Sequence, residues 1–137
     1  MPSLPEILRL KSTPSGPMAA WEAVTTTWAL FADEDEYVLE ITCRLGRKRK
    51  MRRVGIGLRQ ASSWIETIRS SRVSLLPDAI PTCDGSHYEL RAGDAATSVC
   101  LSWYNVPPEG AEALDQFVER LWGFVTPDLH FSEEEYL

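Results

Sequence analysis

The chain predicts an α+β fold: an antiparallel sheet of about five strands packed on helices in two layers, in the order (α)-β-β-β-α-β-β-α. Three observations carry this prediction. Residues 37–43, YVLEITC, alternate strictly, with Tyr37, Leu39, Ile41 and Cys43 on one face and Val38, Glu40 and Thr42 on the other. That is the period of a half-buried strand. Leu114, Phe117, Val118, Leu121, Trp122 and Val125 recur at steps of three and four, the apolar stripe of a core-facing helix. Pairs of strand-like runs alternate with helical ones, which suits a sheet covered by helices on one side.

Each element follows in turn. Residues 1–18 read as a short helix or coil and a loop: Leu4, Ile7, Leu8 and Leu10 make one helical turn with Pro5 at its start, and STPSGPM ends it. Residues 22–31, EAVTTTWALF, are β-branched and aromatic, with Val24, Thr26, Trp28 and Leu30 on one face. The polar turn ADEDE joins this strand to YVLEITC in a hairpin. Gly46 turns the chain again into a third strand, about Lys50 to Leu58, whose apolar face is Val54, Ile56 and Leu58.

Residues 62–71, SSWIETIRSS, predict a helix capped by Ser62 or Ser63. PDAIPTCDGS is a loop, and HYELRA pairs with ATSVCLSWY across Gly93-Asp94. The last helix starts after Pro107-Pro108 and ends by Gly123 and Pro127, leaving residues 127–137 as an acidic tail that is mobile or docks by Phe131 and Tyr136. Two strand–strand–helix units each open on Tyr-x-Leu, at Tyr37 and Tyr88. Ordinary amphipathic patterning gives the same echo.

A chain of 137 residues makes one domain, 1–137, able to bury roughly two-thirds of its unfolded surface. No apolar run approaches the ~20 residues of a membrane span. MPSLPEILRLKS lacks the pattern of a signal peptide, and the three cysteines are widely spaced with no CxxC pair. The expected address is the cytoplasm, with reduced thiols.

Charge is the most unusual feature. Residues 44–53, RLGRKRKMRR, hold seven of the fourteen bases, while all twenty acids lie elsewhere, so the rest of the chain carries a net −13. Within the stretch, Arg47, Arg49, Met51 and Arg53 share one strand face. Lys48, Lys50 and Arg52 share the face that later carries Val54. The core-facing parity is basic until Arg52 and apolar afterwards, so the stretch is expected to project beyond the core as a hairpin arm.

No catalytic constellation emerges. His87 and His130 are the only histidines, and His87 with Cys83 and Asp84 is the nearest approach to a site. Metal sites need three or four such ligands, and GIGLRQ lacks the further glycine or GK[ST] of a phosphate loop. The carboxylates of Asp33–Glu36 and Glu133–Glu135 fall in solvated polar runs. No enzyme activity, cofactor or metal is therefore expected. Trp28, Trp64, Trp103 and Trp122 fall on apolar faces; Trp21, beside a loop, is a candidate contact residue.

The expected function is protein binding. The candidate contact residues are Trp21, Arg44, Arg47, Lys48, Arg49, Lys50, Arg52 and Arg53. An acidic partner, or the acidic turn of a second copy in a homodimer, would complement the arm. Nucleic acid is the alternative, because the stretch would neutralise several phosphates. Against it stand the acidic remainder and the lack of an aromatic within the stretch to stack bases. With LPEILRL standing for a first helix, the order across residues 4–125 resembles the bacterial secretion-chaperone-like adaptor fold. That resemblance implies a non-enzymatic adaptor or chaperone for another protein. A toxin-immunity protein would suit the same features.

Overall fold

The computed structural model describes residues 5–15, 24–34, 36–72, 85–93 and 98–136. Six strands form one antiparallel sheet: β1 (Glu6–Ser15), β2 (Thr25–Asp33), β3 (Glu36–Leu45), β4 (Lys48–Ile56), β5 (Gly85–Gly93) and β6 (Ser98–Tyr104). Their spatial order is β4-β3-β2-β1-β5-β6. Helix α1 (Leu58–Ser70) follows β4 and α2 (Ala113–Trp122) follows β6. A 3-10 turn (Pro127–Leu129) and a one-turn helix α3 (Glu133–Tyr136) come last. The α+β class and the antiparallel sheet are as the sequence predicts, with one strand more.

The extra strand is β1, and it replaces the expected first helix. Leu8, Leu10 and Ser12 are buried on one side while Arg9 and Lys11 are exposed on the other, an alternation of period two rather than 3.6. β1 sits between β2 and β5 and pairs with both over Leu8–Ser12, while Thr13–Ser15 pair with β5 alone. Residues 12–15, expected as a loop, belong to the same strand.

Cross-strand pairing lines the inner face into rows. One row runs Arg52–Ile41–Trp28–Leu10–Leu90–Leu101; the next runs Val54–Leu39–Leu30–Leu8–Ala92–Val99. Both helices contribute to the same core, α1 through Ala61 and Trp64, α2 through Leu114, Phe117, Val118 and Leu121. Trp64 packs edge-on against Phe117 and Phe124, with ring centroids 5.9 and 6.0 Å apart, contacts worth about 0.5–1.5 kcal/mol each beyond their buried area. Trp28 meets Trp122 in a T at 4.7 Å.

Both helix starts differ from expectation. α1 begins at Leu58 behind an extended Gly57, with no side-chain cap. Ser62 and Ser63 are exposed in mid-helix, and Leu58 is exposed rather than part of the strand's apolar face. α2 begins at Ala113, well after Pro107-Pro108, because Gly110 holds φ at +91°, which a helix cannot contain. At that point the Arg72 N–H donates to the Gly110 carbonyl at 2.8 Å. A side chain at Gly110 would collide with the Arg72 carbonyl.

Candidate functional site

The basic stretch is the β3–β4 hairpin end and the edge strand itself. Gly46 makes the turn with φ +60°, and the ladder runs to its last pair, Leu45 opposite Lys48. The expected face assignment holds: Lys48, Lys50 and Arg52 lie on the inner parity, opposite Leu45, Cys43 and Ile41. The expected projection of a free arm does not. The C-terminal segment folds back beneath those three cations.

Lys50 Nζ donates to the His130 carbonyl at 2.7 Å and to Glu135 Oε1 at 3.0 Å, and lies 5.0 Å from the centre of the Phe131 ring. Lys48 Nζ donates to the Glu135 carbonyl. Arg52 donates to the Thr126 hydroxyl at 3.3 Å, which in turn donates to Asp128. Leu129 and Phe131 are buried, so the tail docks by its apolar residues and is steered by charge. The backbone N–H of Ser132, then Lys50, hold the Glu135 carboxyl down to about 2. The Thr126 hydroxyl chiefly lowers Asp128.

Among the described residues, no helix lies over the outer face of the sheet. Its rows run Arg49–Arg44–Thr25, Met51–Thr42–Thr27–Lys11–Glu89–Ser102, and Arg53–Glu40–Ala29–Arg9–Arg91–Cys100. Cations on this face divide into two groups. Arg9 pairs with Glu6 at 2.7 Å, Arg53 with Glu40 at 3.1 Å, and Arg91 with Glu89 at 3.8 Å. Lys11, Arg44 and Arg49 have no acidic partner within ion-pair distance among the described residues. Arg44 and Arg49 are moreover directly opposite one another, an arrangement that destabilises a strand pair.

These three cations surround a depression of about 450 Å³ whose floor is Thr25, Thr27, Ala29 and Thr42, with Arg9 and Glu40 at its sides. Short side chains leave the room, and the flanking long ones supply donors. The site thus offers positive charge and three hydroxyls with one acid, Glu40, already held by Arg53.

A second cavity of about 450 Å³ lies under the tail, between Val24, Thr26, Cys43, Trp122, Val125, Leu129, His130 and Phe131. Burial pushes the Cys43 pKa up, and Sγ sits 3.8 Å from the Thr26 hydroxyl. A raised thiol is less thiolate and less reactive at neutral pH.

Of the candidate contact residues, Arg44, Arg49 and Arg53 lie on the open face and Arg47 is exposed in the turn. Lys48, Lys50 and Arg52 are engaged by the tail. Trp21 lies outside the described residues, as do Cys83, Asp84 and Asp94. His87 packs against Tyr104 with ring centroids 4.7 Å apart. Lys11 and the threonine floor were not expected as part of a site; the alternation Leu8-Arg9-Leu10-Lys11 was the available signal. Among the described residues, no three His, Cys, Asp or Glu side chains cluster so as to hold a metal ion, and no helix is long and apolar enough to cross a membrane. No family model matches the chain, and no curated protein or solved structure gives a match.

Proposed function

We propose that the protein is a non-enzymatic binding protein whose open sheet face holds an acidic surface of another protein. The observation that carries this reading is the trio Lys11, Arg44 and Arg49, none of them in an ion pair among the described residues, around a threonine-floored depression. A fold that sets two arginines face to face pays in stability, and an incoming carboxylate would relieve that repulsion with bidentate hydrogen bonds. The remainder of the molecule is strongly acidic, which orients an approaching partner toward this one face and repels it elsewhere. An adaptor, a secretion chaperone or a toxin-immunity protein would each use such a surface.

The test compares a poly-glutamate peptide with a DNA oligonucleotide of equal charge, each titrated across a salt series. Tighter binding of the peptide, lost in the double variant Arg44→Ala with Arg49→Ala, is the expected result. Tighter binding of the oligonucleotide, with a steep salt slope, would assign the face to nucleic acid instead.

A further inference from the structure

The two edges of the sheet have opposite chemistry. β4, KRKMRRVGI, carries five bases in nine residues; β6, SVCLSWY, carries no charge. An exposed edge is a template for strand pairing, and charge is a common guard against it. β6 ends the sheet among the described residues, with Val99 67% and Tyr104 50% exposed. Val99 also walls an apolar groove of about 660 Å³, with Pro5, Ile7, Ile65, Ile68 and Ala92.

We infer that β6 pairs antiparallel with β6 of a second copy, about a two-fold axis at Leu101. A two-fold interface must be self-complementary, and this register is. It sets Leu101 against itself, the exposed Val99 against Trp103 of the other copy, and Cys100 against Ser102. The charges one strand further in also agree. Glu89 pairs with Ser102 and Arg91 with Cys100 inside each chain. The outer row therefore reads Glu89–Ser102 in one copy and Cys100–Arg91 in the next.

An acid and a base then face each other over two small side chains, twice by symmetry. Moving the axis to Cys100 sets arginine toward arginine, and moving it to Ser102 sets glutamate toward glutamate. Only the Leu101 centre gives opposite charges. The axis stands perpendicular to the sheet, so both copies keep their helices on one side and their open basic faces on the other.

Sedimentation of the full chain over a concentration series tests this. A dimer is expected, and Val99→Lys should raise its dissociation constant at least about tenfold, since it places cations in a closely packed strand pair. Met51→Lys on the other edge should leave it unchanged. Ser102→Cys tests the register independently: mild oxidation should join Cys100 of one copy to the introduced thiol of the other, identified by peptide mapping. A monomer at all concentrations overturns the inference. So does a dimer indifferent to Val99→Lys, or one that forms no such crosslink. If Val99→Lys does not fold, the crosslink decides alone.

Discussion

Two hairpins, β3–β4 and β5–β6, flank the central pair β2–β1, and each runs outward to an edge and then into a helix on the inner face. They hold equivalent places and solve the same problem differently. β4 guards its edge with cations on both faces, and the C-terminal segment ties down the inner set. β6 carries no charge, and among the described residues no further strand lies beside it. The lesson is that an edge strand's composition reports what the edge meets. Charge guards a solvated edge, and an edge without such a guard is open to pairing.

The largest expected effect comes from the contact that joins the two halves. Gly110 follows β6, while Arg72 follows α1, and their backbones touch at a positive φ only glycine adopts readily. Gly110→Ala should cost about 2–4 kcal/mol in chemical denaturation. A cost below ~1 kcal/mol would mean that the halves are not coupled there. Next, Arg44→Glu with Arg49→Glu should reduce binding of an acidic peptide by at least about tenfold, read by titration calorimetry. An equal loss on Lys48→Glu would place the binding surface on the tail side of β4 instead.

Lys50→Ala removes the bond to the His130 carbonyl and the contact with Phe131, and should cost about 1 kcal/mol, with faster amide exchange confined to residues 126–136. Global destabilisation with the tail still protected would contradict the role given to Lys50.

The pH dependence is smaller and has a definite sign. Glu135 titrates near 2 when docked, against an ordinary 4.5. A depressed value in the folded state stabilises docking above the ordinary value, and that contribution is lost as pH falls toward 2. The Glu135 side-chain carbon shift, followed by NMR, should therefore titrate near 2 in the native chain. It should move part of the way back toward 4.5 in Lys50→Ala, since the Ser132 N–H remains. A midpoint near 4.5 in the native chain would remove this tie. The smallest effect is that of Met51→Lys on stability, within about 0.5 kcal/mol, because Met51 already stands exposed among bases on the guarded edge.

Much of the fold was legible because alternation is a local signal. Tyr37, Leu39, Ile41 and Cys43 fall on the inner face as their spacing requires, and Leu114, Phe117, Val118 and Leu121 bury the stripe of α2. The sequence of β1 reads as helical because Leu4, Ile7 and Leu8 also satisfy helical spacing, and Pro14 has the character of a breaker. Pro14 instead lies within the strand near its end. The parity of RLGRKRKMRR could be derived from residue numbers, but its projection could not. Whether an inward-facing cation meets water or a carbonyl depends on a segment eighty residues later, and no local pattern in Lys50 encodes His130. Lys11 was missed for the same reason. Its partnership with Arg44 and Arg49 exists only after β1 is placed beside β2.

The docked C-terminal segment also bears on how far assembly can proceed. A sheet that extends through β6 would grow without limit if β4 could accept the next strand. With Lys48, Lys50 and Arg52 engaged beneath and Arg49 and Arg53 above, the cationic edge ends that growth. Two copies joined at β6 as proposed would form one continuous sheet closed at both extremes, an assembly of finite size rather than a filament.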